Sequence, residues 1–255
     1  MDEAIESLAA AVAGADSVVA MTGAGVSTAS GLPTFRGEDG LWAEFDQRDF
    51  HARRLRADPA GFWSDRIELR ERFYGDREIE PNAAHEALAT LEARGHLEAL
   101  ITQNVDGLHA DAGSKSVVPL HGTHREVECV ECGARQPADP VFERARGGEL
   151  PPRCETCDGV LEPAVVLFGA SMPDEPTLRA HELAGNSDVF LAVGSSLTVQ
   201  PAAGLPERAA RSGATLAVVN LDPTPLSGRA DYDLRADVTE VLPRLVEKLE
   251  RNEKR

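Results

Sequence analysis

The chain is predicted to be an α/β protein built on a parallel sheet with helices on both faces. Short, nearly continuous apolar runs at residues 18–21, 100–102, 117–120, 189–193 and 216–219 each end in glycine or polar side chains, and helical stretches separate them. Strands buried on both faces read this way, because neither face has to alternate toward water. The first run empties into Thr22-Gly23-Ala24-Gly25, a glycine-rich turn whose backbone amides can approach a phosphate closely. In such sheets ligands lie outside the carboxyl ends of the strands, where these polar residues fall.

Each element follows from local pattern. Residues 2–13 set Ile5, Leu8, Ala9 and Val12 at helical spacing in an acidic helix, which predicts one apolar stripe packed on the sheet. The loop after the first strand departs from a dinucleotide fingerprint: Gly23 and Gly25 supply G-x-G, but the next glycine is Gly31. Small polar residues fill the gap, and Thr34, Phe35 and Arg36 close it. Residues 37–80 carry Trp42, Phe45, Phe50, Phe62 and Trp63 in charged, helix-like sequence and read as a helical insertion. Gln103, Asn104, Val105 and Asp106 leave the second strand at one end, as a hydrogen-bonding site or as an Asx-capped turn. The run at 117–120 ends at His121, delivered to the same edge as Gly23, Asn104 and Ser195; it is a base suited to neutral pH or one more structural histidine among seven. Residues 124–162 hold all four cysteines, with Gly147-Gly148 and Pro151-Pro152 marking a loop. Residues 241–249 are amphipathic, and 250–255 are expected to fray.

Formal net charge is -17, from 43 acidic and 26 basic residues, of which only Lys115, Lys248 and Lys254 are lysine. Such a surface repels phosphate backbones and anionic lipid, so neither nonspecific nucleic-acid binding nor membrane binding is expected. Acidity with lysine nearly absent also suits a protein working in concentrated salt, which screens self-repulsion. No apolar run approaches the length needed to span a bilayer, and Met1-Asp2-Glu3 lacks the basic start of a signal peptide, so a cytoplasmic location is expected.

Cys129-x-x-Cys132 and Cys154-x-x-Cys157 are two knuckles with 21 residues between them, the spacing of a four-thiolate zinc ribbon. Four thiolates complete a tetrahedron, so the zinc is expected to be structural. A redox pair or unremarkable thiols are the competing reading.

The ordered set of Gly23 to Ser27, Phe35-Arg36-Gly37, Thr102 to His109, His121-Gly122, the paired knuckles, Val166-Leu167-Phe168-Gly169, Gly194-Ser195-Ser196-Leu197 and Val219-Asn220-Leu221 resembles the sirtuin family of NAD-dependent protein deacylases. The resemblance implies a Rossmann-like domain from residues 1–36, 81–123 and 163–255. It also implies a small domain from the helical insertion (37–80) and the zinc ribbon (124–162), with NAD bound between the two. Carried over by motif, Gly23, Ala24, Gly25, Thr34, Phe35, Arg36 and Trp42 would belong to the NAD loop. Gln103, Asn104 and Val105 would hold the nicotinamide ribose and Asp106 the carboxamide. Gly194, Ser195, Ser196, Asn220, Leu221, Asp222 and Val238 would line the phosphate and adenosine end. His121 would be the general base, with Asn104 as its catalytic companion, and Val166, Leu167, Phe168 and Gly169 would accept an acetylated substrate as an added strand. NAD would be consumed, releasing nicotinamide and moving the acyl group from lysine to ADP-ribose.

The chain departs from the family pattern at two places. Ala170 stands where a glutamate commonly follows Phe-Gly, and Ile67 with Arg70 stands where members preferring succinyl or malonyl groups carry Tyr-x-x-Arg. Deacetylation is therefore the expected activity. Protein mono-ADP-ribosyl transfer and a noncatalytic NAD-binding, zinc-ribbon module are the competing functions.

Overall fold

The computed structural model describes residues 1–37, 40–75 and 77–253. Its strands are β1 (Val18–Thr22), β2 (Ala99–Thr102), β3 (Val117–Pro119), β4 (Gly122–Cys129), β5 (Arg135–Pro137), β6 (Leu161–Val165), β7 (Val189–Val193), β8 (Thr215–Val219) and β9 (Tyr232–Leu234). The helices are α1 (Asp2–Ala13), α2 (Leu41–Glu44), α3 (Ala52–Ala57), α4 (Pro59–Tyr74), α5 (Ala83–Ala93), α6 (Leu108–Asp111), α7 (Ala138–Arg146), α8 (Asp174–Asn186), α9 (Gly204–Arg211) and α10 (Val238–Glu253).

Six strands form one parallel sheet in the order β3-β2-β1-β7-β8-β9. Every residue of β1, β2 and β7 is buried, as continuous apolar runs require. The chain leaves β1 for β2 on one side, while β7 flanks β1 on the other. A crevice therefore opens at the carboxyl ends of β1 and β7, where strand order reverses.

Helices α1, α5 and α10 cover one face through Ile5, Leu8, Leu88 and Leu245, and α8 and α9 cover the other through Leu183 and Leu205. The C-terminal helix corrects one expectation. It continues through Glu253 instead of fraying from residue 250, because Leu249 is buried and Glu250 pairs with Arg94 just past the end of α5. Residues 254–255 lie outside the described residues.

The two insertions share a core although they lie far apart in sequence. Leu55, Phe62 and Trp63 pack with Val127, Phe142 and Leu161, beside the antiparallel sheet β5-β4-β6. Trp63 is fully buried, its Nε1–H donates to the Leu161 carbonyl at 2.8 Å, and its ring lies 5.1 Å from that of Phe142. Among the described residues no helix is long and apolar enough to cross a membrane.

Candidate active site

The crevice is built by two glycine turns in contact. Gly25 N–H donates to the Gly194 carbonyl at 2.9 Å, and a Cβ on Gly25 would lie 2.8 Å from that oxygen. Gly194 has φ +58, the left-handed region that glycine enters without strain. The loop after β1 then folds into two short 3₁₀ turns, Ala24–Val26 and Thr28–Ser30, and Gly31 reverses the chain at φ 87. Asn82 ties this loop to the sheet. Its Oδ1 caps α5 by accepting from Ala84 N–H, while Nδ2 donates to Val26 O and Ser30 Oγ, both at 2.9 Å.

A cavity of about 330 Å³ lies over these turns. Gly23, Ala24, Gly25, Thr34, Phe35 and Arg36 line one side; Gly194, Ser195, Ser196, Asn220, Leu221, Asp222 and Val238 line the far end. Gln103, Asn104 and His121 close it. A cavity floored by glycines at the ends of parallel strands suits a dinucleotide. Three expected members are absent: Asp106 lines a separate small recess, and Trp42 and Val105 instead line a second cavity. Trp42 is drawn there by its aromatic neighbours, 5.6 Å from Phe50 and 5.2 Å from Phe168 between ring centres.

Asp106 lies outside both cavities, in a small recess with Ala24, Ser27, Phe35 and Asn104. Burial pushes its carboxyl up, against bonds from Ser27 Oγ at 2.8 Å and Leu108 N–H at 2.9 Å that favour the anion. Ser27 in turn accepts from Asn104 Nδ2 at 3.1 Å and lies 3.4 Å from His85 Nε2. The Asn82 N–H donates to His85 Nδ1, so the proton of neutral His85 sits on Nε2, facing Ser27. Behind it His109 contacts Thr22 Oγ1 through Nε2 at 2.9 Å, and its buried Nδ1 has no partner among the described residues. Ser27 and His85 join the site although neither was singled out for it; the signal was Asn82-Ala83-Ala84-His85, an N-cap with a side chain at N3 able to reach back.

His121 sits two residues beyond β3. Its Nδ1 lies 3.0 Å from the Gln103 carbonyl, which can only accept, so Nδ1 carries the proton and Nε2 the free lone pair. Burial, with a smaller contribution from Arg36, moves its pKa below the usual imidazole range, against the Gln103 bond. The residue is therefore neutral at pH 7. His121, Phe35, Arg36 and Gln103 line both cavities, which makes them the junction between the two.

The second cavity, about 430 Å³, is lined by Val166, Leu167, Phe168 and Gly169, together with Ala170, Met172 and residues 198–200. Residues 166–169 are not a regular strand. Phe168 bridges His51, donating to Phe50 O and accepting from Ala52 N–H, and Val166 donates to His121 O. The N–H groups of Leu167 and Gly169 have no partner among the described residues.

Helix α4 brings a different arginine to this cavity from the one that sequence counting selects. Arg70 turns away, pairing with Asp139, donating to His124 O at 3.2 Å and lying 4.4 Å from the centre of the Phe142 ring. Ile67 packs against the small-domain core. One turn earlier, Arg66 lines the cavity beside His124.

The four cysteines are free thiols whose sulfurs all lie within 4.8 Å of one another. The Cys129–Cys157 and Cys132–Cys154 separations are 3.4 and 3.8 Å. A tetrahedron with ~2.3 Å metal–sulfur bonds has edges of about 3.8 Å, so the donor set fits a four-thiolate metal site.

Proteins of known family and structure resemble this chain over most of its length. The Sir2 family profile matches residues 23–201. An NAD-dependent protein deacetylase of Haloarcula marismortui is 60% identical over 248 residues, covering 97% of this chain and 95% of the relative. A Sir2 homolog–NAD complex superposes with TM-score 0.84 at 38% identity, covering 97% of this chain and 94% of that one. A Sir2–p53 peptide–NAD+ structure does so with TM-score 0.85 at 35% identity, covering 95% and 97%.

Proposed function

For a chain that belongs to the Sir2 family and is an NAD-dependent protein deacetylase, we propose that His121 is the general base and that the two cavities divide the substrates. NAD occupies the glycine-floored cavity and acyl-lysine the aromatic one. The observation that carries this is the position of His121 at the junction, neutral, with Nε2 unprotonated. NAD supplies a leaving group, nicotinamide, and a ribose hydroxyl able to take the acyl group.

The remaining work falls to this chain's residues. Asp106 and Ser27 hold the nicotinamide end through their shared hydrogen bonds, and Gln103 and Asn104 hold the ribose. Phe35, stacked 5.4 Å from Phe73, keeps water from the junction. His121 Nε2 takes a proton from the ribose hydroxyl, a transfer that a neutral imidazole can make at pH 7. Leu167 and Gly169 offer main-chain donors to an extended peptide, whose backbone supplies affinity with little sequence preference.

The cysteine cluster holds one structural zinc, which uses all four positions and leaves the chemistry to His121. Residues 37–80 and 124–162 act as one small domain through their common core. A reducing cytoplasm suits thiols kept for metal.

The test is nicotinamide release and peptide deacetylation with an acetyl-lysine peptide. His121→Ala is expected to lower kcat by about a hundredfold to ten-thousandfold, with circular dichroism unchanged. Turnover within tenfold of wild type would defeat the base assignment. Label passing from NAD onto protein, with no deacetylated peptide, would favour ADP-ribosyl transfer.

A further inference from the structure

We propose, building on the deacylase reading above and its strand-like mode of peptide binding, that His51 selects substrates by a side chain close to the acyl-lysine. The peptide residue lying beside Gly169 is to carry a hydrogen-bond acceptor, aspartate or glutamate above all. His51 belongs to the short bridge that holds residues 50–52 against Phe168, whose N–H and carbonyl are both used there. The N–H groups of Leu167 and Gly169, with no partner among the described residues, lie on the opposite edge of that segment, the edge an added strand would take. Gly169 has no side chain, and the half-buried His51 ring fills the space where one would stand: a Cβ there would overlap His51 Cε1 and Nε2. A ring laid across a glycine in this way reaches past it to the next strand.

The ring meets that strand as a donor. Arg53 N–H donates to His51 Nδ1 at 3.1 Å, so the proton of the neutral imidazole is on Nε2. Nε2 has no partner among the described residues. The surrounding charge has the matching sign: residues 48–56 hold Arg48, Arg53, Arg54 and Arg56 against Asp49 alone, in a chain whose net charge is -17. Arg48 and Arg54 pair with Asp46 and Asp58, and Asp49 lies within electrostatic reach of Arg48 and Asp65, whereas Arg53 and Arg56 make no ion pair among the described residues. No acidic side chain lines the cavity to which residues 166–169 contribute, and Ala170 adds none beside Gly169. A peptide carboxylate there accepts from Nε2–H in a charge-assisted bond; lysine or arginine brings a second donor and no acceptor. The contact is to the peptide alone, so the bonds made and broken in deacylation are unchanged.

The experiment measures deacetylation of one acetyl-lysine peptide at saturating NAD in wild type, His51→Glu and His51→Phe. Asp, Asn, Ala or Lys is placed in turn at each of the two positions on either side of the acetyl-lysine. Wild type is expected to favour Asp over Lys by about tenfold in kcat/KM at one of these positions, with Asn and Ala between. His51→Glu should reverse that order, and His51→Phe should bring the Asp-to-Lys ratio to within about threefold of one. A wild-type panel flat at every position would overturn the proposal whether or not the variants fold. An Asp-to-Lys ratio that His51→Phe leaves unmoved would overturn it too, placing the preference with the neighbouring arginines. Turnover without positional preference sinks this inference alone; no deacetylation of any peptide sinks the reading on which it rests.

Discussion

Acidification from pH 8 to pH 5 is expected to cost the fold about 4 kcal/mol through His85 and His109 alone. Burial lowers His85 to about 4 and His109 to about 3, from an ordinary value of 6.5. Both have local reasons to resist a second proton: His85 Nδ1 accepts from Asn82 N–H, and His109 Nδ1 would bury an N–H with no acceptor. As pH falls through 6.5 the unfolded chain takes up protons that the folded chain refuses. Stability is therefore full above 6.5 and is lost progressively down to the folded values, each histidine contributing about 2 kcal/mol of loss by pH 5. Acids held low by partners, such as Asp46 at about 2, lose their contribution only below the ordinary carboxylate range, so this window isolates the imidazoles. Asp106, pushed up by burial, works in the opposite sense but is common to every variant. The assay is urea unfolding at pH 8 and pH 5 for wild type and His109→Gln, whose amide can donate to Thr22 and cannot titrate. Wild type should lose about 2 kcal/mol more than the variant. Acid loss of zinc affects both equally and cancels. Equal losses would refute the linkage.

Gly25→Ala places a Cβ 2.8 Å from the Gly194 carbonyl, so one glycine turn must move off the other; kcat/KM for NAD should fall about a hundredfold with KM for peptide little changed, and an unaltered NAD dependence would exclude the contact. Removing zinc, verified by metal analysis, should red-shift the emission of Trp63, whose burial depends on Leu161 and Phe142 in the cysteine-bearing segment. The parallel sheet should persist by circular dichroism, and unchanged Trp63 emission after metal loss would contradict a structural ion.

The parallel sheet was legible because β1, β2, β7 and β8 are buried on both faces and their apolar runs are nearly unbroken. β9 escapes that pattern: three residues with Asp233 at the centre leave too little signal. The touching glycine turns were legible for a related reason, since backbone crowding restricts what can stand there, and so was the place of His121 just beyond β3 at the sheet edge. Arg66 was not. Counting from Pro81 gives the right helix and the wrong face, because a residue's direction around α4 depends on what Phe62, Trp63 and Leu69 bury, and that is a tertiary fact. The direction of Trp42 was not legible either, its chain position being beside the loop after β1 while its ring joins the aromatic wall of the second cavity.

The loop after β1 shows why the cofactor is consumed and not merely held. A dinucleotide turn with its third glycine in the usual place would run directly into a helix and leave the nicotinamide end to other elements. Here Gly31 comes late, two 3₁₀ turns precede it, and the chain returns across the crevice to set Phe35 where the cavities meet. Trp42 N–H bonds back to the Phe35 carbonyl at 3.1 Å, and Asn82 holds the loop's first turn against α5. An apolar ring fixed at that junction is of no use to hydride transfer, which needs an open face toward a second substrate. It is of use where a glycosidic bond is broken and water must be kept from the exposed carbon until the acyl oxygen arrives. His121 lines the same junction, so under the proposed function one loop and one histidine bound the reacting volume.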